Sequence, residues 1–546
     1  MAATLLLFAW GIAGCRVDLA DVHRWESTAN GPEKLKAIIV HDKYSTELKV
    51  EAAMALVRMK PRAGRGVGIK ILVEDGLPAL SPEARQRVLA RLIPEVVKEL
   101  DRPPPVAQAG QPAPPDGSFK YKDAAYRMLT FETKQIVADP ELKAQLEDAL
   151  VRWAEADFMR RMNDRSQAYS MEQMLRTIGA RSVVGLPKLL AKDSETKDIT
   201  KIAGIIAKLG DAKTKDVASA RLVEVGRHVG SDAWRKAKES EMKEANRRAK
   251  MMPTDKQFQE QMSTYQNETL LAVYSSMKDV GGSAVIEFCL QVAEEKKADE
   301  KRRQAALAAL EGNLDRKATK QIDRILAVAA GETPDVVLDQ AFRRLRELPR
   351  EKVIDKLYDL LKTDRWKLRR AAAGTVLQMS TVQHIDEFLD RLDQNFTKNF
   401  NLTEGITYGA YLGDLKEGDP HEAVVKRLEK GMAPSRLTVI GFFYDHGKEA
   451  DVALLRKLQE DKTKTPTCEG DGCDWKCEVL KTPGDPKSRE AKEIKTIGEY
   501  ARYCIIPAVE DRIAAEKQAE QERKKKESEK AGKPGDKKGE KKGEKK

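Results

Sequence analysis

Apolar residues along this chain recur at helical spacing, and the clearest run lies between Glu351 and Leu392. Val353, Ile354, Leu357, Leu360 and Leu361 fall on one face of a helix, since residues three, four, seven and eight apart share a side at 3.6 residues per turn. Thr363 and Asp364 offer capping oxygens before a second stripe of Leu368, Ala372, Val376 and Met379. Ile385, Phe388, Leu389 and Leu392 begin a third. Elsewhere the same signature continues in segments of ten to twenty residues, broken by Gly, Pro or Asp. No run of alternating β-branched residues competes with it, so the pattern predicts an all-α chain.

The helices also repeat in content. Asp364 to Ala373, Asp299 to Leu307 and Glu47 to Leu56 each carry a polar start, a charged turn and paired alanines. Asp335 to Leu345, around Ala341, fits more loosely. Ala306, Ala341 and Ala372 are spaced by 35 and 31 residues, a period characteristic of helical solenoids. These units resemble HEAT repeats. In that family an Asp and an Arg near the second helix steady the turn, and small alanines let paired helices approach. Asp364 with Arg369 or Arg370 matches, as does Ile202 to Asp211, a second helix ending in a Gly-Asp turn. Two places depart from the family pattern: Lys49 or Glu51 stands where the arginine belongs, and Trp234 to Met262 is a charged stretch without alanine pairs. The resemblance implies a HEAT-like α-solenoid whose second helices line the face that meets partners.

Composition fits such a chain. Charged residues make up 34% against a usual ~25%, and aromatics only 5%. Long helices that show one apolar stripe to a thin core carry this balance, whereas a compact enzyme core of 546 residues calls for more aromatic mass. From Gln521 to Lys546, twelve Lys or Arg against six Asp or Glu leave +6 of the total +11. The body is therefore close to neutral and a groove-lining nucleic-acid binder is not indicated, while the Lys-rich tail is suited to anionic polymers.

At the other end, Leu5 to Trp10 runs into Gly11-Ile12-Ala13-Gly14-Cys15. This resembles the lipobox of bacterial lipoproteins, which implies cleavage after residue 14, lipid on Cys15, and residence in the bacterial cell envelope. No Lys or Arg precedes the apolar run, so the signal departs from the usual basic start. The expected organisation is a signal peptide over 1–14 and HEAT-like pairs over 15–100. A linker over 101–118, holding six of the 23 prolines, separates them from the main solenoid over 119–507; a charged helix and disordered Lys-rich tail fill 508–546.

Cys468, Cys473, Cys477 and Cys504 crowd into 37 residues, three of them in a loop near 465–480. In an exported protein this reads as two disulfides, with three connectivities open; zinc competes, although the spacing lacks paired CxxC knuckles. Cys289, alone among apolar neighbours, reads as a small buried hydrophobe. Gly64 to Gly68 lacks the Lys-Ser/Thr ending of a phosphate loop, and His23, His41, His228, His384, His421 and His446 are scattered singly. No metal, cofactor or catalytic constellation is expected. The attractive surface candidates are Trp366 with Arg365, Lys367, Arg369 and Arg370, because Trp and Arg dominate binding hot spots. The functional expectation is a non-catalytic, lipid-anchored scaffold that binds envelope proteins. The alternatives are an enzyme on a HEAT-like scaffold, as the alkylpurine DNA glycosylases are, and a cytosolic protein whose basic tail touches nucleic acid.

Overall fold

The computed structural model describes residues 17–60, 67–106, 114–131, 135–165, 168–192, 194–250, 253–331, 333–396, 399–468, 475–480 and 489–531. The proposed leader, Cys15 and Cys473 lie outside them, as does most of the glycine-rich turn at 64–68. Two compact units divide the chain between Val285 and Ile286, within helix Ser283–Glu294.

In the first unit, helix Thr46–Arg58 packs between Gly31–Val40 and Pro82–Leu100. Ala52, Ala53 and Ala55 are wholly buried there, so the small side chains do bring helices together. Lys49 is buried as well. Helix Pro82–Leu100 also packs on Phe119–Thr130 and Pro140–Ala156, beyond the proline-rich stretch. That stretch therefore joins neighbouring packed helices within one unit; it does not set two modules apart. The charged segment after Trp234 forms helices Asp232–Arg248 and Asp255–Val280, the second opened by a Thr254–Gln257 capping box just after Pro253. Trp234 is buried and stacks on Tyr265 at 5.7 Å, while Arg235 donates to Gln259 at 2.7 Å. Polar contacts thus complete a pair whose apolar stripe is thin.

The second unit is a two-layer stack. One layer holds helices Glu300–Ala309, Asp335–Leu345, Trp366–Gln378, Leu402–Gly413 and Ala433–His446, each packed on the next. The other includes Thr319–Ala330, Arg350–Leu360 and Ile385–Asn395, which back onto the first layer. Ala306, Ala341 and Ala372 are fully buried at equivalent places in successive second helices, and the stripes Val353–Leu361 and Ile385–Leu392 face the interior. The fold class is the expected all-α, HEAT-like helical repeat.

Three local features differ from the sequence reading. Strands Lys476–Leu480 and Arg489–Glu493 pair antiparallel, Lys476 opposite Glu493 and Leu480 opposite Arg489, so part of the cysteine-rich loop is a hairpin. Helix Ile506–Ala531 carries the charged segment well past Gln521, sustained by pairs such as Glu520–Lys524 and Arg523–Glu527 four residues apart. Lastly, Arg365 is the N-cap of helix Trp366–Gln378 and no side chain caps it, so Thr363 and Asp364 do not play that part. Among the described residues no helix is long and apolar enough to cross a membrane.

Candidate partner-binding surface

Helix Trp366–Gln378 and its N-cap Arg365 place the five candidate residues in different environments, consecutive helical residues pointing about 100° apart around the axis. Arg369 turns inward and is only 4% exposed. Its Nε donates to Glu404 Oε1 at 2.7 Å, and its Nη1 to the Thr363 carbonyl at 2.8 Å, capping the preceding turn. Glu404 also accepts from Tyr408 Oη at 3.0 Å and from the Asn401 amide at 3.1 Å. Burial first, and then the Glu404 charge, push the Tyr408 hydroxyl well above the usual phenol range, so it stays a donor. Arg369 is thus the turn-bracing arginine and is not available to a partner. Asp364, expected to pair with it, is exposed, and Glu404 from the next repeat takes its place.

The brace recurs. Arg303 donates to the Ala293 carbonyl at 2.9 Å, and Arg436 to the Leu428 carbonyl at 3.1 Å. In each case a buried guanidinium near the start of a second helix satisfies a carbonyl near the end of the helix before it, where intrahelical donors run out.

The other four candidates remain at the surface. Arg365 donates to the Ala330 carbonyl at 2.7 Å, closing the C-terminus of helix Thr319–Ala330. Lys367 pairs with Asp335 at 2.7 Å, an exposed contact of small energetic weight. Trp366 is 38% exposed despite its size. Arg370 lies over its ring with 6.0 Å from guanidinium carbon to centroid, and donates to Tyr411 Oη at 3.2 Å. Trp366, Arg365, Lys367, Asp335 and Leu338 line a surface hollow of about 350 Å³. Immediately beyond Arg370 a second hollow of about 170 Å³ is lined by Arg343, Arg346, Gln378 and Tyr411. The sequence reading missed Arg343 and Arg346, whose position follows from the abutment of two successive second helices.

Of the cysteines, Cys477 and Cys504 form a disulfide with Cα atoms 5.5 Å apart, and Cys468 is also disulfide-bonded. The bridge ties the hairpin to the π-helical segment Ala501–Ile505. Cys289 is wholly buried and burial pushes its thiol up to about 12, which makes it inert at neutral pH. His421 places Nε2 2.9 Å from both oxygens of buried Asp451, fastening helix His421–Arg427 to helix Glu449–Lys457. Among the described residues no three His, Cys, Asp or Glu side chains group closely enough to hold a metal ion.

No protein-family model matches this chain, and no curated protein is similar to it. Among solved structures, the crystal structure of a Kap121p mutant is similar over 82% of this chain, at 11% sequence identity and a TM-score of 0.27. The match takes in 44% of that chain, under half of its length. So loose a likeness carries no weight for fold or function; the helical-repeat class rests on the helices themselves.

Proposed function

We propose that this chain is a non-catalytic scaffold or adaptor that binds protein partners, held at a membrane of the bacterial cell envelope by lipid on Cys15. The observation that carries the binding reading is Trp366, exposed at the edge of a surface hollow and covered on one side by Arg370, which lines a second. A large apolar ring flanked by arginines is the composition of a binding hot spot, and a repeat stack offers such a face without needing a reaction centre. The lipid reading rests on the Leu5 to Cys15 pattern alone.

Two experiments test these parts separately. Affinity purification of the full chain from its native host should recover a stoichiometric polypeptide that Trp366→Ala loses while keeping its melting midpoint. Recovery unchanged by the substitution would remove the binding face. Metabolic labelling with an alkyne fatty acid should tag the wild type and leave Cys15→Ser untagged and released from membranes; equal labelling of both would end the lipoprotein reading.

A further inference from the structure

Arg343, Arg346 and Arg370 converge on the smaller hollow from two adjacent helices, and among the described residues none of the three has an ion pair. Elsewhere many surface arginines are matched, such as Arg324 with Glu287 and Glu294, or Arg427 with Asp386 and Asp390; here three unmatched ones meet in one hollow. Arg346 reaches Gln378 and Arg370 reaches Tyr411, both neutral groups. Desolvation first, and then the neighbouring Arg343 charge, hold the Arg346 guanidinium below the ordinary arginine range. Three like charges share a confined groove whose lining contains a single carboxylate, Asp339. Such a cluster repels itself in the free protein and is relieved by an anion.

The shape narrows the ligand class. Arg370 lines the groove and also lies over the ring of Trp366, so the cationic hollow and the one lined by Leu338 and Trp366 stand one side chain apart. An occupant that fills both must carry anionic groups and an apolar group on one extended backbone. A free phosphate is too small to reach both hollows; guanidinium forks match carboxylates and phosphates alike, so reach and the apolar contact, and not fork geometry, select an acidic chain.

We propose that Arg343, Arg346 and Arg370 form a docking groove for an acidic linear segment of a partner protein, its Asp or Glu side chains on the arginines and an apolar side chain against Trp366. This specifies the partner chemistry of the binding face proposed above and rests on that reading.

The test uses the full chain and a fluorescein-labelled dodecapeptide of Asp, Glu and Ser with one central Leu, followed by anisotropy. The wild type should bind it, and the triple variant Arg343→Gln, Arg346→Gln, Arg370→Gln should bind at least about tenfold more weakly. The control variant Lys296→Gln, Lys297→Gln, Lys301→Gln removes the same charge from exposed positions outside the Lys-rich tail and should stay within about twofold of the wild type. Equal binding by wild type and the groove variant would overturn the proposal, and so would an equal loss in the control. If inorganic phosphate or a single-stranded oligonucleotide binds more tightly than the peptide through the same arginines, the groove is a general anion site and the peptide assignment falls. Should the affinity-purified partner be lost on Trp366→Ala yet kept by the groove variant, the face binds a partner and only its acidic character is wrong.

Discussion

Arg369 and Arg365 are four residues apart on the same turn and helix, yet their energetic roles differ because one is buried and the other is not. Removing Arg369 leaves Glu404 charged, 2% exposed and short of its cation. Breaking a buried pair from one side typically costs about 3–5 kcal/mol, so Arg369→Ala should lower the urea midpoint of the chain by a corresponding amount. Arg365→Ala gives up one exposed bond to a carbonyl and should cost about 1 kcal/mol or less. Equal effects of the two substitutions would contradict the assignment of Arg369 as the brace. The sequence pointed to this pair of adjacent arginines without choosing between Arg369 and Arg370. The choice depends on which side of the helix faces Glu404, a residue 35 positions away in the next repeat.

Close approach between helices Leu402–Gly413 and Ala433–His446 depends on a stripe of Gly405, Gly409 and Gly413, four residues apart and so on one face. A methyl group at Gly409 would lie 2.2 Å from the Phe442 amide nitrogen and 2.3 Å from the Gly441 carbonyl carbon. Overpacking of this kind costs about 1–3 kcal/mol, so Gly409→Ala should destabilise. Gly204, inside helix Thr196–Leu209 with open space around its α-carbon, should behave oppositely: Gly204→Ala should stabilise by about 0.4–1 kcal/mol. Chemical denaturation of the two variants decides the matter by sign. The stripe was legible in principle, because glycines every fourth residue in a helical run ask for a packing reason. The hairpin was far less so. Arg489 to Glu493 is almost entirely exposed and charged, and its pairing with Lys476–Leu480 is supported by the Cys477–Cys504 bridge. With the two cysteines 27 positions apart, the bridge should contribute about 2–4 kcal/mol, and Cys504→Ser should lower the thermal midpoint in oxidising buffer only. A loss of equal size in reductant would mean that packing of the side chain, and not the bond, is responsible.

At the scale of the whole molecule, periodicity was enough to give the helical-repeat class, since each pair must bury one stripe and the stripes recur at a repeat-sized spacing. Surface chemistry was harder to read: Arg343 and Arg346 gain meaning only beside Arg370, and burial excludes Arg369 from the same face. The C-terminal helix shows a related limit. Its composition suggested disorder, but pairs of opposite charge four residues apart support a helix that needs no core. From Ala514 to Glu527 this helix is exposed on every side, so truncation after Glu520 keeps its Arg512 and Lys517 contacts to Gly447 and Glu449. The melting midpoint should stay the same, while affinity for anionic polymers should fall and do so equally on raising salt. The proposed binding function depends most on whether the Trp366 face meets a partner. A photo-crosslinking phenylalanine derivative at position 366 tests this directly in living cells, with position 271, an exposed leucine in the first unit, as control. One discrete adduct is expected from position 366 and none of that size from 271. Absence of any adduct at 366 under conditions where the chain is folded, or the same adducts from both positions, would contradict it.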